Sequence, residues 1–254
     1  MPERRNGAAR RERADDEAPL WLYGIHTVSE ALRNPRRRRR RLVATRNALA
    51  RIESELLAAG PAAEIADVRA IGRLLPEGAV HQGVALLVDP LPARPVEALG
   101  DADLVVLLDQ VTDPHNVGAI FRSAAAFAAS AVITTSRNSP QETGALAKAA
   151  SGALDIVDHV EVTNLSRTLE TLGELGFLRV ALDSAGTADL EAVPPAARIA
   201  LVLGAEGKGV RPGVRAACDL VARLDLPGRI TSLNVSNAAV LALYVTRRRV
   251  AASV

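Results

Sequence analysis

From about residue 100 onward the chain alternates short apolar runs with amphipathic stretches. Residues 104–108 (LVVLL), 131–135, 157–162, 178–182, 199–204 (IALVLG) and 221–226 are rich in Val, Ile and Leu with little polar alternation, the pattern of strands buried on both faces. Between them lie helical patterns at 113–128, 144–150 and 164–172, and a last helix is predicted from about 234 to 249. Strand and helix in strict alternation predict an α/β fold on a parallel sheet. Ligands of such sheets collect at the carboxyl ends of the strands. Three of those ends carry polar or glycine-bearing turns: Asp109-Gln110, the turn holding Gly204, Glu206, Gly207, Lys208 and Gly209, and the Pro227-Gly228 turn that leads into Thr231-Ser232-Leu233-Asn234. Ser232 or Asn234 can cap the helix that follows.

The first ninety residues read differently. A short amphipathic helix is predicted at 26–32, a strand at 42–45, a helix at 48–59, a strand at 64–68 and an apolar run at 80–88, which together make a small α/β unit. Pro90, Pro92 and Pro95 then mark a linker. The expected organisation is a disordered tail over 1–19, a first domain over 20–90, a linker over 91–100 and a larger domain over 101–254. The tail reading rests on five arginines and five acids with almost nothing apolar among them.

Composition narrows the function classes. The chain has 254 residues, enough for one large or two modest cores. No apolar run is long enough to span a bilayer and the charged start does not read as a signal peptide, so a cytoplasmic protein is expected. Cys218 is the single cysteine, and His26, His81, His115 and His159 have no metal-ligand spacing, so neither a disulfide nor a metal is expected. The net charge is only +2. A run of six arginines, Arg36, Arg37, Arg38, Arg39, Arg40 and Arg41, is read as a solvated loop that contacts phosphates, because adjacent like charges repel unless an anion or water answers them.

The glycine turn excludes the common nucleotide sites: Gly204, Gly207 and Gly209 are spaced G-x-x-G-x-G rather than G-x-G-x-x-G, and Lys208 precedes Gly209 rather than Ser or Thr. At LVLGAEGKGV and SLNVSNAA the chain resembles the second and third motifs of the SpoU, or TrmH-like, RNA ribose 2′-O-methyltransferases of the SPOUT superfamily. The first motif of that family, N-x-G-x-x-x-R, stands upstream as Asn116, Gly118 and Arg122, in DPHNVGAIFR. Tyr23-Gly24-Ile25-His26 and Ala79-Val80-His81-Gln82-Gly83 resemble the two ends of the L30e-like accessory domain of the family's RlmB-type subgroup.

The resemblance implies a SPOUT domain with a trefoil knot across residues 199 to about 244, S-adenosylmethionine as methyl donor, RNA as substrate and a homodimer. It makes Arg122 the residue that readies the ribose hydroxyl. A guanidinium stays protonated, so it would act by stabilising the forming alkoxide rather than as a base. Asn116 would hold Arg122 or an RNA phosphate, Glu206 would orient Arg122 or a ribose, and Ser232 and Asn234 would hydrogen-bond the arginine or the acceptor. Gly204, Leu226 and Leu233 are the implied cofactor contacts, although the segment before Ser232-Leu233-Asn234 is about two residues shorter than the family's pattern. A guanosine of 23S rRNA is the favoured acceptor; a tRNA ribose and a noncatalytic RNA-binding role are the alternatives.

Overall fold

The computed structural model describes residues 18–52, 61–92, 94–137, 139–140, 142–229 and 232–250. It divides into two compact units, Met1–Ala93 with Gln141–Ile156, and Arg94–Pro140 with Val157–Val254. The tail expected over 1–19 falls almost wholly outside the described residues.

In the first unit, β1 (Leu20–Tyr23), α1 (Ile25–Arg33), β2 (Arg39–Ala44), α2 (Arg46–Arg51), β3 (Ala63–Ile65), α3 (Val68–Gly72) and β4 (Val84–Val88) follow one another. The sheet order is β1-β4-β2-β3, with β4 antiparallel to both neighbours and β2 parallel to β3. Helix α1 buries Ile25, Val28, Ala31 and Leu32. Its N-cap is Gly24, which has no side chain to cap with, and Gln82 Oε1 accepts from Ile25 N instead at 3.0 Å. The strand expected at 64–68 stops at Ile65, because Asp67 Oδ1 accepts from Ala70 N and starts α3.

The arginine run departs from expectation in two ways. Its second half is strand β2, not a loop. Arg37 is 2% exposed, with Nε 2.9 Å from Asp155 Oδ1 and Nη1 2.7 Å from Glu142 Oε1. Buried charge survives only when paired, and here both partners come from the Gln141–Ile156 segment. Arg37 is therefore withdrawn from the phosphate-contacting set.

The second unit holds a seven-stranded parallel sheet of β5 (Leu104–Asp109), β6 (Ala131–Thr135), β7 (Asp158–Val162), β8 (Leu178–Leu182), β9 (Ala188–Asp189), β10 (Ile199–Gly204) and β11 (Leu220–Arg223), in the order β7-β6-β5-β10-β8-β11-β9. Every residue of β5 is buried, as the unbroken apolar run requires. Its helices are α4 (Pro114–Ala126), α6 (Leu165–Glu174), α7 (Pro212–Ala216) and α8 (Val235–Arg247), and α8 packs on α4 and β10. Helix α5 (Gly144–Ala150), expected inside the larger domain, belongs to the first unit and packs on β1. Strand β11 ends at Arg223, so Leu226 lies beyond it. The register pairs Gly204 with Asp109, which aligns the carboxyl ends of β10 and β5. Among the described residues no helix is long and apolar enough to cross a membrane.

His159 in β7 packs edge-on against Phe121 with ring centroids 5.3 Å apart, and its Nε2 lies 2.9 Å from Thr134 Oγ1. Burial pushes its imidazole down from 6.5 to about 4. The folded protein thus resists a proton that the unfolded chain accepts, so the stabilisation is complete above pH 6.5, falls as pH drops and is exhausted near pH 4. Part of the residue stays exposed, which limits the loss to at most about 3 kcal/mol at about 1.4 kcal/mol per unit. Urea unfolding at pH 7 and pH 4.5 is expected to show a smaller pH penalty in His159→Gln than in the unaltered chain. Equal penalties would contradict this.

Candidate active site

Three chain segments meet at the carboxyl ends of β5 and β10. The first is the start of α4, set by Asp113, whose Oδ1 accepts from His115 N at 2.9 Å, and by Pro114 in the first turn. Asn116 projects from that turn, half-buried. The second is the loop after β10, which doubles back so that Gly209 N donates to Ala205 O at 2.9 Å and presents Glu206 at its tip. Gly207 and Gly209 hold positive φ of 74° and 64°, where a Cβ is strained. The third is the start of α8, capped by Asn234, whose Oδ1 accepts from Ser236 N at 2.9 Å.

Glu206 Oε1 joins all three. It accepts from Asn116 Nδ2 at 3.3 Å, from Asn234 Nδ2 at 2.6 Å and from Val235 N at 3.3 Å. Asn234 Nδ2 also donates to Asn116 Oδ1 at 3.1 Å. One residue from each of three sequence motifs, up to 118 positions apart, therefore forms a closed polar cluster. A carboxylate at the amino end of α8 meets unsatisfied N–H groups and the positive end of the helix dipole. Asn234 serves as cap and cluster member together.

The other expected site residues stand around this cluster or apart from it. Gly204 is half-buried at the root of the loop, Leu226 and Leu233 are half-buried, and Ser232 is exposed. Arg122 is exposed and its side chain makes no hydrogen bond or ion pair among the described residues. It follows Asn116 by six positions on α4, which at about 100° per residue turns it roughly 120° around the axis. Within one chain, then, neither Asn116 nor Glu206 holds Arg122; their groups answer each other and Asn234. The backbone N–H of Val235 is a cluster member that no residue type could have signalled. Asp109, read from sequence only as a strand end, is fully buried, with Oδ1 2.7 Å from Arg211 Nε. Among the described residues no group of three or more His, Cys, Asp and Glu could hold a metal.

Comparison with known proteins puts relatives beside this geometry. The profile of the SpoU rRNA Methylase family matches residues 103–244, and that of RNA 2′-O ribose methyltransferase substrate binding matches residues 21–93. The chain is 37% identical over 244 residues to a 23S rRNA (guanosine-2′-O-)-methyltransferase RlmB from Burkholderia sp, covering 90% of this chain and 96% of that one. It is 35% identical over 241 residues to the protein of the same name from Vibrio cholerae, covering 91% and 97%. Its fold is similar to the SpoU methyltransferase AviRb from Streptomyces viridochromogenes in complex with AdoMet, with a TM-score of 0.77 at 23% identity over 96% of this chain and 93% of that chain.

Proposed function

The chain belongs to the SpoU rRNA methylase family, and on that footing we propose that it moves a methyl group from S-adenosylmethionine to the 2′-hydroxyl of a ribose in RNA, with a guanosine of 23S rRNA as the favoured acceptor. The observation that carries this reading is the Asn116–Glu206–Asn234 cluster, which binds the three motifs of the family into one site.

The chain segments that carry the cluster have features that suit the donor. Residues 224–229 make no backbone–backbone hydrogen bond among the described residues, leaving donors and acceptors for an adenine edge. Leu226 and Leu233 offer partly buried apolar contact, and a Cβ built on Gly207 meets nothing within 4 Å, so one side of the loop is open. When bound, the sulfonium supplies an electrophilic methyl carbon. This chain's residues have the remaining work. Arg122 stabilises by its positive charge the alkoxide that forms as the 2′-hydroxyl gives its proton to solvent, and the amides of Asn116 and Asn234, locked by Glu206, orient the acceptor next to two helix amino ends. Ser232, exposed before α8, is assigned to the acceptor side.

Because Arg122 stands clear of the cluster within one chain, the reading includes a homodimer in which a second copy brings its Arg122 to the acceptor. Val240, Leu241 and Tyr244 on α8, 41%, 44% and 50% exposed, support an apolar partner surface there. The reading further includes a trefoil knot over 199–244, supported by the return of the chain from β11 to pack α8 on α4 and β10, and a cytoplasmic location. For RNA docking it retains Arg36, Arg38, Arg39, Arg40 and Arg41, supported by the substrate-binding match over residues 21–93; Arg38 and Arg40 pair with Asp89 and Arg41 with Glu64, but unlike Arg37 these three side chains are exposed and can exchange a carboxylate for a phosphate.

The test is to map ribose methylation in RNA from cells lacking this protein. Loss of one methylated guanosine in 23S rRNA is expected. A loss confined to tRNA would move the acceptor, and an unchanged map of both would overturn the activity.

A further inference from the structure

The loop that presents Glu206 is gripped where it returns to the sheet. Strand β10 lies between β5 and β8, and the residue at or just past the end of each neighbour is an aspartate, Asp109 on one side and Asp183 on the other. Asp183 Oδ2 accepts from Val210 N at 3.3 Å, while its Oδ1 accepts from Ala185 N at 2.9 Å. Asp109 Oδ2 accepts from Arg211 N at 2.8 Å, and its Oδ1 from Arg211 Nε at 2.7 Å. Two consecutive amides are thus held by carboxylates from opposite flanking strands. Neither carboxylate is a surface group: the Asp109 and Asp183 side chains are 0% and 9% exposed. A fully buried carboxylate needs a counter-charge, and the Arg211 guanidinium supplies it at Asp109; Arg215 lies 3.8 Å from Asp183. The grip leaves no slack, since a Cβ on Gly209 would meet Asp183 Oδ2 at 2.8 Å.

We infer that Asp109 and Asp183 are positioning residues that fix where Glu206 stands, with Arg211 as the ion-pair partner of the buried Asp109. Both act through the loop: the carboxylates hold Val210 and Arg211, Ala205 and Gly209 close the turn, and Glu206 is carried between them. The activity readout rests on the methyl-transfer reading; the structural readout does not.

The experiment uses the full chain as Asp109→Asn, Asp183→Asn, Arg211→Gln and the Asp109→Asn/Arg211→Gln pair. Amide hydrogen exchange at Val210 and Arg211 is measured against Leu201 and Val202 in β10, with methyl transfer from S-adenosylmethionine to a 23S rRNA transcript alongside. Each single variant is expected to speed exchange at the gripped amides by about tenfold or more while the β10 amides hold, the signature of local opening. Turnover is expected to fall by about tenfold with the donor KM within about threefold, and the paired variant to be no worse than the poorer single, as coupled groups require. If Asp109→Asn does not fold, Arg211→Lys, which keeps the charge and the backbone bond but loses the Nε contact, is expected to show the same local opening in weaker form. Unchanged exchange at Val210 and Arg211, or exchange that rises equally along β10, would overturn the inference. Should the unaltered chain methylate no RNA, the functional reading fails and the exchange data alone judge the clamp.

Discussion

Glu206→Ala is expected to lower methyl transfer by about 10²–10³-fold, the usual cost of removing one preorganised polar group from a reacting centre. The reason is local. A single oxygen, Glu206 Oε1, accepts from Asn116 Nδ2, Asn234 Nδ2 and Val235 N, so its loss frees two side-chain amides and one helix N–H at once. Asn116 and Asn234 would keep their mutual bond of 3.1 Å, and Asn234 its cap bonds from Ser236 N and Oγ, but nothing would tie either amide to the loop after β10. Glu206 is itself exposed, so the stability change should stay near about 1 kcal/mol, the net value of an ordinary hydrogen bond. Glu206→Gln keeps an acceptor oxygen but not the charge and should fall between. Initial rates with saturating donor and RNA, read beside thermal melting, check this; a Glu206→Ala chain as active as the unaltered one would remove Glu206 from the site.

Gly204→Ala carries the largest expected effect on stability. A Cβ there would stand 2.1 Å from the carbonyl carbon of Gly209, 2.2 Å from its oxygen and 2.4 Å from Val210 N. All three are backbone atoms and none can rotate aside. Nor can the root of the loop withdraw, because β10 is paired in register with β5 on one side and β8 on the other. A loss above about 4 kcal/mol, or failure to fold, is the expected result. Gly207→Ala is the control: its φ of 74° is strained, yet its Cβ meets nothing within 4 Å, so only the left-handed penalty of about 1–2 kcal/mol should appear. Urea unfolding of the two variants separates the cases, and equal midpoints would contradict the steric account.

These two residues also mark what the sequence could tell. The central strands were legible because burial on both faces leaves an unbroken apolar run, as in β5 and β10. Helix α7, of five residues, and strand β9, of two, are too short to imprint a period and were missed. Gly204 stands in the sequence as an implied cofactor contact, and the structure adds an internal reason for glycine there, the return of Gly209 across it. The cluster members Asn116, Glu206 and Asn234 were legible through their motifs; that they bond one another instead of Arg122 was not, since hydrogen-bond partners up to 118 positions apart leave no local trace. The arginine run failed at Arg37 for the same reason: its counter-ion Asp155 lies 118 positions downstream. Local charge density reports repulsion, and only the fold reports which charge is answered.

The most direct measurement is the transfer of labelled methyl from S-adenosylmethionine to a 23S rRNA transcript, with the product digested to locate the label, for the unaltered chain and for Arg122→Ala. The account predicts label on a guanosine 2′-oxygen with the unaltered chain and near-background incorporation with Arg122→Ala, although both proteins melt alike. Equal incorporation by the two, or label on a base instead of a ribose, would contradict it.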